Sequence, residues 1–188
     1  MSKHFEGKFE VEFKYRLNSR EGFLSKLQQM KPEVLLENNS EHDCYFDLTN
    51  GQLGKDNKSV CIREMHPSGI MLWIVKGPGK DRCEAVNITD AVKAKSMLKT
   101  MGFEQVLEMN KTRSIYFVGE YHVTVDHLEN IGDFAEVAIM TDDESMLAEY
   151  KQQLLSLAQA LGLANDQIEH KSYRELYSEQ QALATEGF

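Results

Sequence analysis

One stretch, residues 4–17, constrains the fold of this chain more than any other. Its even positions are His4, Glu6, Lys8, Glu10, Glu12, Lys14 and Arg16, and its odd positions are Phe5, Gly7, Phe9, Val11, Phe13, Tyr15 and Leu17. Successive side chains of a strand leave opposite faces, so the alternation predicts a long amphipathic β-strand with one apolar face and one charged face. Glu10, Glu12 and Lys14 fall in one row, next-but-one neighbours lying roughly 6.6 Å apart at ~3.3 Å of rise per residue. A metal ion can touch two carboxylates at that spacing, and an ammonium beside them can hold a phosphate. On pattern alone, a solvated charged face is the commoner use of such a strand.

The remaining chain reads as further strands set between a few helices. Strands are predicted over residues 34–48, 59–65, 70–76, 82–88, 106–118, 121–126 and 134–140. Their punctuation is Asn50-Gly51, which opens a turn-rich loop through Asn57, then His66-Pro67-Ser68-Gly69 and Gly77-Pro78-Gly79-Lys80. Ser19 reads as the N-cap of a helix with the stripe Phe23, Leu24, Leu27 and Met30. Thr89 or Asp90 caps a second helix ending near Met101, with Gly102 at its C′ position. Thr141-Asp142-Asp143-Glu144 caps a long helix over residues 145–161, its acidic residues complementing the N-terminal dipole. From about Ser178 onward the chain reads as a frayed tail, leaving residues 1–177 as one domain. About eight strands, mostly joined as hairpins, predict an α+β fold: a closed antiparallel eight-stranded β-barrel with flanking helices. In a closed barrel, the charged face of the first strand lines a lumen instead of meeting bulk water.

A chain of 188 residues with net charge −9 and no Lys/Arg-rich run is a poor partner for nucleic acid or an anionic membrane surface. A small anionic substrate remains compatible, provided that basic residues converge on an enclosed site. Cys44, Cys61 and Cys83 are odd in number and widely spaced, without a C-x-x-C pair, and so read as free thiols in a reducing compartment and not as a disulfide frame or a zinc site. The first residues lack a signal-peptide apolar core and no stretch is long enough for a membrane span, so the expected location is the cytoplasm.

Several later strands carry isolated charges among apolar neighbours: Arg63, Lys76, Lys111 with Arg113, His122 with Thr124 and Asp126, Glu136, and the same-face pair Arg82 and Glu84. Singly, each is more often a surface or strand-end charge than a ligand contact. As a set, one or two per strand in an acidic protein, they are poorly explained by chance. The wording of the first strand, Glu10-x-Glu12-x-Lys14 after His4-Phe5-x-Gly7 and before Tyr15-Arg16, resembles the class IV adenylyl cyclases of the CYTH, or triphosphate-tunnel, superfamily. Tyr45-Phe46-Asp47 and Ser172-Tyr173-Arg174-Glu175-Leu176 resemble later segments of the same family, so the likeness runs from His4 to Leu176.

The resemblance implies roles. Glu10, Glu12 and Glu136 would hold divalent metal, two ions of Mg²⁺ or Mn²⁺, while Lys14, Arg63, Lys76, Lys111 and Arg113 grip phosphates. Arg82 and Glu84 join the substrate-binding candidates, and Asp126 either meets metal through water or positions a reacting group. The implied reaction is attack of the ribose 3′-hydroxyl of ATP on the α-phosphorus, giving 3′,5′-cyclic AMP and pyrophosphate with two-metal assistance. No protein nucleophile is needed, and no Walker loop, nucleophile elbow or kinase loop is present. Two departures stand out: Cys61-Ile62-Arg63 where many members have R-x-R, and Glu136-Val137-Ala138 where many have E-x-E. Both lean away from tripolyphosphate hydrolysis. A tunnel triphosphatase acting on inorganic, thiamine or nucleoside triphosphate stays open as an alternative, as does a polyphosphate- or nucleotide-binding module without turnover. A homodimer is a family-level expectation.

Overall fold

In the computed structural model, residues 3–186 are described. In chain order the elements are β1 (Phe9–Arg16), α1 (Arg20–Gln29), β2 (Glu33–Leu48), α2 (Gln52–Lys55), β3 (Ser59–His66), β4 (Met71–Lys76), β5 (Cys83–Asn87), α3 (Ala91–Thr100), β6 (Phe103–Val118), β7 (Tyr121–Leu128), β8 (Gly132–Thr141), α4 (Leu147–Ala160) and α5 (Tyr173–Glu186). The strands form an eight-stranded sheet in the order β1-β8-β7-β6-β2-β3-β4-β5. The described registers, β2 with β3, β3 with β4, β4 with β5, β6 with β7 and β7 with β8, are all antiparallel. The expected α+β class and strand number are therefore observed.

Local chemistry sets the boundaries. The first strand begins later than its alternation predicts, because Lys3–Phe5 winds into a 3₁₀ turn. Gly7 makes that transition at φ +147°, with the Thr141 backbone only 2.8–2.9 Å from where a Cβ would lie, so no other residue fits. Ser19 caps α1 by accepting from Gly22 N at 3.0 Å, and Asp90 caps α3 by accepting from Lys93 N at 2.8 Å. The loop expected between Asn50 and Asn57 contains α2. Asp47 organises it, Oδ1 accepting from Leu53 N at 2.9 Å and Oδ2 from Gly54 N at 3.1 Å. The expected frayed tail is helical instead, since α5 continues to Glu186. Its Glu-Gln-Gln-Ala-Leu-Ala run is rich in good helix formers, and Lys171 Nζ reaches Glu179 at 2.8 Å. Residues 187–188 of that tail lie outside the described residues.

The chain divides into two compact units. Unit 1 takes the chain through Val11, Asn39–Asn110 and Met140–Leu147. In it, Cys44, Phe46, Val60 and Ile62 on one face of β2 and β3 pack with Ala91, Ala94 and Leu98 of α3. Trp73 and Met71, both partly buried, join this core. Phe9 bridges Arg82 beside β5, with Glu10 N donating to the Asp81 carbonyl at 2.7 Å, so the first and last strands of the order meet here.

Unit 2 takes Glu12–Asn38, Lys111–Ile139 and the chain from Ala148 onward. Both faces of β7 are covered: Val123 and Val125 are buried on one, and His122, Thr124 and Asp126 on the other. A polar strand face buried this completely must find its partners inside the protein. All three cysteines are buried free thiols, as their number and spacing predict. Among the described residues, no helix is long and apolar enough to cross a membrane.

The Gly77 turn generates a test. Its φ is +86°, and a Cβ there would meet the Asn57 carbonyl oxygen at 2.1 Å, whereas Gly79, at φ +88°, faces open space. In urea denaturation, Gly79→Ala should cost about 1–2 kcal/mol of backbone strain, and Gly77→Ala more than ~3 kcal/mol. Equal midpoints would show that the 57–58 backbone yields freely.

Candidate active site

Each unit builds a charged cluster on one sheet face. In unit 2, β6 and β7 place Arg113 directly opposite Asp126, and β7 and β8 place Thr124 opposite Glu136. Directly opposed residues share a face, and parity adds Lys111 to the row. Arg113 donates from Nε to Asp126 Oδ1 at 2.6 Å, from Nη2 to Oδ2 at 2.6 Å, and from Nη2 to Glu136 Oε2 at 3.1 Å. Tyr173, at the start of α5, donates its hydroxyl to Asp126 Oδ2 at 2.6 Å.

Two lysine ammoniums converge on the ring of that tyrosine, Lys14 Nζ at 4.3 Å from the centroid and Lys111 Nζ at 5.9 Å. Phe134 packs edge-on against it. Asp126 has no exposed surface, so burial pushes its carboxyl above the usual range while the Arg113 fork pulls it back. Burial likewise drives the Tyr173 hydroxyl well up, and the Asp126 and Glu136 charges add to the rise, so it stays a donor. Glu12 lies two residues before Lys14 on β1, in the same parity.

In unit 1 the same device recurs. Arg63 on β3 stands directly opposite Asp43 on β2 and donates from Nε to Oδ1 at 2.6 Å and from Nη2 to Oδ2 at 2.8 Å. Glu41 Oε2 lies 3.4 Å from the same Nε. Lys76 shares the Arg63 face, by the register that sets Arg63 against Leu72, and its Nζ reaches Glu10 Oε1 at 3.3 Å.

Within each unit, then, candidates named from sequence come together: Lys14, Lys111, Arg113, Asp126 and Glu136 in one, and Glu10, Arg63 and Lys76 on one face in the other. Arg82 and Glu84 do not join them. Glu84 stands opposite Val75, on the sheet face away from Lys76, and this exposed carboxylate pairs at 3.0 Å with the half-buried Arg82. Same-face parity linked those two residues to each other correctly; it could not say which face they shared.

Glu41, Asp43 and the role of Tyr173 were missed. The period-two run Glu41, Asp43, Tyr45, Asp47 carries the signal of a polar row, but the strand read over residues 34–48 is not parsed by face. Asp47 of that row is the buried acceptor that organises α2, a structural task.

The family model of the CYTH domain matches residues 8–173, and the chain belongs to that family. Among curated relatives, the protein named adenylate cyclase CyaB of Aeromonas hydrophila is 60% identical over 185 residues, covering 98% of this chain and 97% of that one. A Vibrio parahaemolyticus protein, solved under a provisional description as an adenylate cyclase, superposes with a TM-score of 0.89 at 50% identity, covering 92% of this chain and 99% of that one. A more distant Hippeastrum protein, described as having a dominant triphosphatase activity, shares the fold at a TM-score of 0.66 and 16% identity, over 91% of this chain and 96% of that one.

Removing Arg113 should expose how much the unit 2 cluster depends on it. Arg113→Ala leaves Asp126 buried without its counter-charge and should cost about 3–5 kcal/mol in urea denaturation. Adding Asp126→Asn should restore part of that loss. Parent-like stability of the single variant would show that the carboxylate is neutralised by something other than the guanidinium.

Proposed function

We propose that this chain is a class IV adenylyl cyclase, converting ATP to 3′,5′-cyclic AMP and pyrophosphate. The observation that carries the reading is the near-full-length likeness to the Aeromonas enzyme, and the buried charged faces of both units support it. Carboxylate oxygens are the hard donors that Mg²⁺ and Mn²⁺ prefer. Glu10 and Glu136 already face cations, Lys76 Nζ at 3.3 Å and Arg113 Nη2 at 3.1 Å, which suits them to holding positive charge. Divalent ions held by Glu10 in unit 1 and by Glu12 and Glu136 in unit 2, two in all, would supply Lewis-acid stabilisation to the 3′-oxygen and the phosphates.

The chain's own side chains divide the remaining work. Lys14 and Lys111 bind phosphate oxygens as compact point charges, kept in place by the Tyr173 ring beneath them. Arg63 and Lys76 offer the corresponding cations of unit 1. Arg113, bonded to two carboxylates, holds Glu136 in position and contributes positive charge to the phosphates at longer range. Asp126 acts as a positioning residue that orients Arg113 and Tyr173. Arg82 and Glu84 are left out of the substrate contacts, given the face they occupy. The reading carries with it a cytoplasmic homodimer.

Product analysis tests it. With ATP and Mg²⁺ or Mn²⁺, the products should be cyclic AMP and pyrophosphate with almost no orthophosphate. 3′-Deoxy-ATP lacks the attacking hydroxyl and keeps every phosphate contact, so it should bind, inhibit and yield nothing. Orthophosphate release from it at the ATP rate would overturn the cyclase and favour a triphosphatase. Glu12→Ala and Glu136→Ala should each lower turnover by a factor of about 100 or more with an unchanged far-UV spectrum. Near-normal activity in either would remove that glutamate from the metal set.

A further inference from the structure

A second cluster in unit 1 lies on the opposite face of β2 from Glu41 and Asp43, and the proposed reaction makes no use of it. His42 and Cys44 alternate with those acids along the strand, and β6 brings up Glu108. One ring nitrogen of His42, the Cys44 sulfur and a Glu108 carboxylate oxygen all lie within 4.8 Å of one another. We propose that His42, Cys44 and Glu108 form a binding site for a borderline-soft divalent cation of the zinc class, distinct from the carboxylate set assigned to Mg²⁺ or Mn²⁺.

The donor set has the chemistry for it. Thiolate, imidazole and carboxylate together are a zinc set, and a thiolate donor discriminates against Mg²⁺. His42 is held at both ends of its ring: Nε2 is 2.5 Å from Glu108 Oε1, and Nδ1 is 3.7 Å from Glu64 Oε2. With the ion taking the place of the proton between Nε2 and Glu108, Glu64 remains as the outer carboxylate that orients the ring, the usual companion of a metal-bound histidine. Glu64 is in turn fixed by Lys95 Nζ at 2.5 Å, and this hydrogen bond holds its carboxyl below the usual range.

The Cys44 sulfur forms the floor. It is 2% exposed and sits in the core beneath α3, where burial raises its thiol pKa and the neighbouring Lys95 opposes the rise. The mouth is open, the side chains of His42 and Glu108 being 27% and 53% exposed. Binding therefore forms metal bonds to sulfur, nitrogen and oxygen and releases the Cys44 thiol proton to solvent, while the one proton of the neutral His42 ring is carried on Nδ1, toward Glu64. Lys95 stays on Glu64 and offsets its charge. The fourth tetrahedral position faces solvent.

Cobalt is the probe, because a Co²⁺–thiolate bond gives a near-ultraviolet charge-transfer band that carboxylate sites lack. Titrating chelator-treated protein with Co²⁺ in excess Mg²⁺ should give that band at one equivalent per chain, together with tetrahedral visible bands. Zn²⁺ should abolish both. Cys44→Ala should remove the charge-transfer band. His42→Ala, at a partly exposed position that tolerates truncation, should weaken binding strongly, and Glu64→Gln should weaken it by about 10- to 100-fold. Absence of the band at saturating Co²⁺ would overturn the proposal. So would its persistence in Cys44→Ala, which would assign it to Cys61 or Cys83, or its loss to Mg²⁺ alone.

Discussion

The cross-strand fork between Arg113 and Asp126 is the interaction on which the interior of unit 2 depends. A carboxylate with no solvent exposure is costly unless its lone pairs and its charge are both answered. Two guanidinium hydrogen bonds and the Tyr173 hydroxyl do both. That satisfaction lets Asp126 be as buried as the valines on the apolar face of β7. It also ties the C-terminal helix to the sheet, since Tyr173 is the first residue of α5. Lys14 and Lys111 over the same ring then have a fixed platform in place of a mobile one.

Unit 1 solves the same problem with other strands. Arg63 and Asp43 face each other across β3 and β2 as Arg113 and Asp126 do across β6 and β7, each pair forming a bidentate fork. Each arginine also reaches a second acid, Glu41 in one case and Glu136 in the other. The planar guanidinium explains the choice of residue: it matches two carboxylate oxygens at once, which a lysine ammonium cannot. The lysines are left for a different task. A compact, rotatable ammonium suits a ligand whose oxygens shift during reaction, so the proposed function gives the lysines the closer phosphate contacts, while the fork-bound arginines hold the sheet and add positive charge.

This division also gives the two sequence departures a physical meaning. A third strand with Cys61 in place of a second arginine packs that position against Ile74 and Cys83, an apolar cluster, instead of adding a cation. A last strand with Ala138 in place of a second glutamate sets a small buried side chain opposite His122. Under the proposed function, fewer charges at these points would place less electrostatic grip on a terminal phosphate. The reacting centre proposed for the cyclase, at the α-phosphorus, is consistent with that.

The sequence by itself determined the period-two strands, the caps at Ser19 and Asp90, the free cysteines and the row Glu10, Glu12, Lys14, because those are set by neighbours in the chain. Parity also determined which charges travel together, as with Lys111 and Arg113. Only the tertiary structure decided which face each row occupies and which charges meet. A strand's pattern fixes two faces without saying which is enclosed, so Arg82 and Glu84 read the same as Arg63 and Lys76 until the register separated them. The partners of Arg63 and Arg113 come from strands 13 or 20 residues away, and the hydroxyl of Tyr173 from 47. Such meetings are fixed by the pairing of strands and the docking of a helix, long-range contacts that leave no local period to read.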